Sequence, residues 1–286
     1  MSNANNHPSA PASTPLSSAG SASFSWHRFT LLARAHWAEH MRQYLGHLLV
    51  TGILYCVLLV FSLSVSRGEV FVTGGQSAFY FWGLYLTGFV FAGRYFDGMA
   101  RRESALLVLM RPASVLEKWL LCVGVVVVGY PVAYTLLFLA ISWPAQGVAL
   151  AMRAAWADPA NLDLQDYALF VPLLLQPLRE ALLSIPQQWG FFIAAWALQG
   201  AAVTGSLYFR KAAMLKTLVL GVVLFIATVM VAVLSRPRDE VLFAWWRDGA
   251  ATLGPETHAL NAALWLALPM LLWWQTYQHL HEKELT

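Results

Sequence analysis

The sequence predicts an all-α membrane protein: six transmembrane helices, an N-terminal interfacial amphipathic helix, and both termini in the cytoplasm. Three observations predict it. Six long segments carry essentially no formal charge: Leu45–Val65, Ser77–Arg94, Trp119–Trp143, Gln187–Phe209, Thr217–Leu234 and His258–Tyr277. Each approaches the run of about 20 apolar residues that a spanning helix needs. All four lysines, Lys118, Lys211, Lys216 and Lys283, fall between or beyond these segments on one side. With the N-terminus inside, twelve of the 18 basic residues are cytoplasmic and six of the 15 acids. That asymmetry is the one that sets orientation in membranes.

Residues 1–23 are rich in Ser, Ala, Pro and Asn and lack the apolar core of a cleavable signal. They read as a disordered cytoplasmic tail. Residues 24–44 read as a separate helix, with Trp26, Phe29, Ala33, Trp37, Met41 and Tyr44 on one stripe at spacings of three and four. His27, Arg28, Arg34, Glu39 and Arg42 lie off it, and Leu31 and Leu32 blur the pattern. A basic, Trp-bearing helix beside a span lies in the membrane interface; docking on the bundle is the alternative. The six-helix domain follows over residues 45–280, with a short cytoplasmic tail at 281–286.

The inside connection 95–118 carries the most information. Residues 99–110 are helical in character, with Arg101, Arg102 and Glu103 on the polar side and Arg111 just beyond. Pro112 stops that helix. Ser114-Val115-Leu116-Glu117 is then a capping box that starts the third span. Lys118 follows, placed for its stem to reach the headgroups. Outside loops are expected over 144–186 and 236–257. Within the first, Tyr167–Gln176 is apolar but too short to cross, and reads as a partly inserted or surface-lying helix.

Trp119 and Trp143 bracket the third span, and Trp265, Trp273 and Trp274 sit in the sixth, as interfacial anchors do. Cys56 and Cys122 read as small apolar packing residues. Gly88, Ala92, Gly93, Ala201 and Gly205 permit close helix approach and suggest assembly of two copies.

Two patterns resemble chemistry without carrying it. His36-Trp37-Ala38-Glu39-His40 matches H-x-x-E-H, in which two histidines one turn apart bind zinc. No third ligand is evident, so these residues read as interfacial polar groups. Gly74-Gly75-Gln76-Ser77 echoes a nucleotide-binding signature, but the chain has no G-x-x-x-x-G-K-[ST] loop. Its glycines read as serving an outside turn. The net charge of +3 reflects membrane orientation, because no basic face with interleaved aromatics indicates nucleic acid. Apart from terminal residues such as Arg94, the six segments hold no Asp, Glu, Lys or Arg, whereas ion-coupled transporters use such groups at mid-membrane.

The chain resembles the membrane permease subunit of an ATP-binding-cassette exporter of the ABC-2 type. The resemblance rests on the order of elements and on Arg111-Pro112-Ala113-Ser114-Val115-Leu116-Glu117-Lys118, Tyr208-Phe209-Arg210-Lys211 and Glu282-Lys283-Glu284. It implies a multi-pass protein of the bacterial cytoplasmic (inner) membrane, no cofactor in this chain, and ATP and magnesium held by a partner ATPase. It also implies a second permease copy, and a coupling role for residues 99–110 with Arg101, Arg102, Glu103, Arg111, Ser114, Glu117 and Lys118. A solvated connector is the alternative for 99–110. For the whole chain the alternatives are a non-transporting signalling or assembly scaffold, and an intramembrane zinc enzyme using His36 and His40. No charged or aromatic site in the spans selects among lipids, peptides or small drugs as cargo.

The charge asymmetry yields a direct test. In a background lacking Cys56 and Cys122, Arg102→Cys and Lys211→Cys should react with an impermeant thiol reagent only from the cytoplasm, and Ala160→Cys only from outside. Reversed labelling at any of the three overturns the topology.

Overall fold

The structure, a computed structural model, describes residues 24–96, 113–156, 167–173, 185–209, 215–223, 230 and 254–285. The described chain is helical, without a strand. Its helices are α1 (Trp26–Ser66), α2 (Thr73–Arg94), α3 (Val115–Trp156), α4 (Ile185–Tyr208), α5 (215–223) and α6 (Pro255–Leu285). Three are long and apolar enough to cross a membrane: Trp26–Ser66, Val115–Trp156 and, within α4, Gln187–Tyr208. The chain is therefore a helical protein suited to a bilayer. Most of the expected fifth span lies outside the described residues.

The expected joint between an interfacial helix and the first span is absent. α1 runs unbroken for 41 residues. No proline interrupts it, and a single Gly46 costs too little, about 1 kcal/mol, to break a helix. Trp26, Trp37 and Met41 face outward, while Leu32, His36 and, further on, Thr51, Tyr55, Leu59 and Leu63 are buried. Trp26, Trp37 and Met41 of the apolar stripe thus point away from the bundle, Tyr44 packs against Phe91, and His36 of the H-x-x-E-H pattern is turned inward.

α3 contains two departures from a plain span. Gly124–Gly129 forms a π-helical turn, in which the Tyr130 N–H bonds to the Val125 carbonyl. Pro131 follows immediately. Proline has no N–H and its ring crowds the carbonyl four residues back, so the wider turn relieves the position where an α-helix would fail. Beyond Trp143, where a loop was expected, the helix continues through Pro144 to Trp156. The missing donor at Pro144 removes one backbone bond and does not stop the helix.

α4 packs between α2 and α6. The core is aromatic, with Tyr80, Phe81, Phe91, Tyr130, Tyr134 and Phe138 among its members. Small residues that suggested contacts between copies are used within the chain. Gly88 lies against the Gln199 amide and the Tyr130 ring, and Gly205 against Thr217. Two expected anchors likewise bind helix to helix: the Trp119 indole N–H donates to the Trp273 carbonyl at 2.9 Å, and that of Trp273 to the Trp196 carbonyl at 3.3 Å. Cys122 is buried, Cys56 is exposed, and both are free.

One end of the bundle gathers the starts of α1 and α3 with the ends of α2, α4 and α6. Arg28 meets Glu117, the rings of His36 and Tyr95 stack, Trp119 meets Tyr277, and Tyr208 meets His279. The opposite end closes differently. Arg67 and Gly68 turn the chain with left-handed φ values of 50° and 86°. The Arg67 guanidinium lies 4.6 Å over the Trp156 ring, and Arg153 pairs with Glu69 at 2.9 Å.

The segment Tyr167–Leu173 tucks into this second end, and the expected helix at 167–176 does not form over its described part. Buried backbone without helical bonds needs other partners, and glutamines provide them. The Gln76 side chain accepts the Phe170 N–H at 2.9 Å and donates to the Ala168 carbonyl at 3.2 Å. Gln146 donates to Tyr167 at 2.8 Å, and Gln188 accepts the Leu173 N–H at 2.7 Å. Gly74 and Gly75 lie in the first turn of α2 rather than in a turn, and Gly75 is pressed against the Val70 carbonyl.

Close packing predicts a contrast between two glycines. A methyl at Gly83 would overlap the Tyr134 hydroxyl, whereas Gly147 has open space around it. Gly83→Ala should lower the thermal unfolding midpoint in detergent by the equivalent of about 1–3 kcal/mol, the usual cost of overpacking. Gly147→Ala should leave it unchanged or raise it.

Candidate functional site

Among the residues expected to act as a unit, Ser114 and Glu117 form the predicted capping box. The Ser114 hydroxyl accepts the Glu117 N–H at 3.2 Å, and a Glu117 carboxylate oxygen accepts the Ser114 N–H at 2.9 Å. The other carboxylate oxygen reaches a second helix. It accepts the Ser25 backbone N–H at 2.9 Å and an Arg28 guanidinium N–H at 3.2 Å. Ser25 is the N-cap of α1, but its hydroxyl makes no capping bond. Glu117 therefore closes its own helix start and holds the start of α1, with no exposed surface of its own.

This first turn precedes the apolar run that begins at Trp119. Burial alone would raise the Glu117 pKa; the two backbone donors and the Arg28 guanidinium outweigh it and hold the carboxyl below its ordinary value. The anion is the form this geometry recognises.

Lys118, expected to extend to the headgroups, is instead buried, 8% exposed. Arg101, Arg102, Glu103, Arg111 and the whole of 99–110 lie outside the described residues.

Beside the clasp, α1 and α2 leave a small, open cleft of about 20 Å³ with His40, Tyr44, His47 and Arg94 in its lining. The His36 and His40 rings stack with centroids 4.4 Å apart and planes 19° from parallel. His36 Nε2 is engaged by the Tyr44 hydroxyl, and His40 Nδ1 lies 3.1 Å from the His36 carbonyl. Stacked rings with nitrogens turned to other partners do not converge on one ion. Among the described residues no group of three His, Cys, Asp or Glu is placed to hold a metal.

One residue escaped the sequence reading. Gln199, in the middle of α4, is 1% exposed, and neither its amide nitrogen nor its oxygen has a partner. It presses on Gly88 of α2. Its only signal in the sequence is a lone amide inside an uncharged run, where an inventory of charges passes over it.

Comparison with known proteins finds no matching family model, no similar characterised protein and no solved structure of matching fold.

The clasp makes a graded stability prediction. Glu117→Ala removes the acceptor of two backbone donors and of one Arg28 bond, and because Arg28 is 36% exposed the cost is that of lost charged hydrogen bonds, about 2–3 kcal/mol. Ser114→Ala removes one cap, costing about 0.5–2 kcal/mol. Chemical or thermal unfolding in lipid nanodiscs should rank them so. Because the folded pKa is depressed, the contribution of Glu117 is full above the unfolded value of about 4.3. It disappears as pH falls below that through the folded value. Glu117→Gln should therefore flatten the acid limb of the stability curve.

Proposed function

We propose that this chain is the membrane permease subunit of an ABC-2 type ATP-binding-cassette exporter. A separate cytoplasmic ATPase, which binds ATP and magnesium, drives it, and a second copy of the chain completes the pathway. In this reading the clasped end faces the cytoplasm of a bacterial inner membrane, as the basic asymmetry of the sequence supports. The six-span topology, with the fifth span after Thr217, belongs to the same reading.

The observation that carries the proposal is the double grip of Glu117. Residues 97–112 join the end of α2 to the start of α3, and that start is tied through Glu117 to Ser25 and Arg28 of α1. A force applied to 99–110 by an ATPase therefore enters α2 and α3 directly and α1 through one buried carboxylate. α2 meets α4 where the Gln199 amide is unsatisfied. An unmade buried hydrogen bond costs about 1–3 kcal/mol, so parting the seam there would recover bonds that the closed state leaves unmade. It is the place where a pathway would open.

The proposal is tested at the ATPase contact, with a cassette ATPase from the neighbouring reading frame as the expected partner. Arg101→Glu with Arg102→Glu should leave expression and folding intact, abolish transport, and lose co-purification of the ATPase. Truncating desolvated charge pairs costs roughly 2–5 kcal/mol. Ser114→Ala should keep the ATPase bound and lower stability or uncouple hydrolysis. A pull-down followed by hydrolysis in lipid nanodiscs reads both. A double reversal that binds and stimulates the ATPase like the parent overturns the coupling role. Failure of any ATPase to co-purify with the parent favours a non-transporting scaffold.

A further inference from the structure

We infer that the cleft between α1 and α2 is a binding site for a phosphate-ester anion, the headgroup of an anionic phospholipid. Its rim carries donors suited to phosphate: the Arg94 guanidinium, the Gln43 amide and the His40 imidazole, over Phe91. Arginine meets phosphate through paired N–H donors in a fixed fork. Arg94 is exposed, and no ion pair engages it among the described residues. His40 has Nδ1 occupied at the His36 carbonyl, which leaves Nε2 for a ligand. No described acid lines the cleft, and the Glu39 carboxylate lies 4.0 Å from His40 Nδ1.

The position of the cleft distinguishes a lipid from a free anion. α1 changes character here. Arg34, Glu39 and Arg42 precede the cleft, and no charged residue follows from Gln43 to Ser66. The plane of the headgroups falls at such a boundary. On the adjacent outward face of α1, Met41, Leu45 and Leu49 are exposed. A phosphate held at the open mouth of the cleft would have its acyl chains on that apolar strip. Basic pockets between membrane helices recognise anionic headgroups in this way. The site depends only on the chain being in a bilayer, and not on the transport reading.

The test uses the full chain, delipidated in detergent and reconstituted with phosphatidylglycerol or phosphatidylcholine. Phosphatidylglycerol should raise the thermal unfolding midpoint above its value in phosphatidylcholine and remain bound in native mass spectra. Arg94→Gln should weaken that binding about tenfold, the worth of one charge-assisted contact, and leave the midpoint in phosphatidylcholine unchanged. Arg94→Lys should keep part of the effect, which separates charge from folding. Should Arg94→Gln fail to fold, Gln43→Ala replaces it, with a smaller loss expected. Millimolar inorganic phosphate added in phosphatidylcholine supplies the other arm. If it reproduces the whole shift, the site reads a free anion and the lipid assignment falls. Equal stabilisation of parent and variants by phosphatidylglycerol overturns the site altogether.

Discussion

A carboxylate removed from water must be met by donors, and at Glu117 they come from two helices far apart in sequence. Ser114 lies three residues away; Ser25 and Arg28 lie about ninety residues earlier. Local capping needs only the first of these. The second set makes the start of α3 the anchor for the start of α1. Everything described at this end is arranged around that anchor. Trp119, two residues on, is tied to α6 through the Trp273 carbonyl, and Trp273 in turn reaches α4. The charge is tolerated at zero exposure because these donors are aimed at it; removing the carboxylate would take the acceptor from two backbone N–H groups together.

The opposite end solves the complementary problem of irregular backbone among apolar helices. Peptide groups of 167–173 find no helical partners, and in such surroundings they cannot go unbonded. Side-chain amides replace the missing solvent. Gln76, Gln146 and Gln188 come from α2, α3 and α4, so three helices converge on one stretch of backbone. A glutamine carries both a donor and an acceptor, which suits it to peptide groups in a way that no charged residue would. Gln199, with the same chemistry and no peptide to meet, shows what the other three avoid.

Local signals were legible in the sequence and non-local ones were not. The capping box was readable because both partners lie within four residues. The helices themselves were readable from long uncharged runs. What was not legible was which residues of α1 pack inward. In water an apolar stripe marks the buried side; beside lipid the rule inverts, and Trp37 and Met41 face outward while His36 is buried. The helix-to-helix bonds of the Trp119 and Trp273 indoles were not legible either, since their partners lie far away in sequence. The boundary at Pro144 failed because one absent N–H removes one bond, not a helix. The glutamine contacts at 167–173 span distances in sequence that no spacing rule reaches.

α1 has no internal break over 41 residues, a length of about 62 Å at 1.5 Å per residue. A hydrocarbon core is about half that thick. Such an element behaves mechanically as a stiff rod longer than the slab it crosses. If the rod pivots at mid-length, a tilt of about 5° carries each tip roughly 2–3 Å, in opposite directions. A small sideways displacement at the Arg28 tip would then reappear, reversed, where Arg67 stacks on Trp156. The absence of a hinge is thus a property in itself: the two faces of the bundle share one mechanical coordinate.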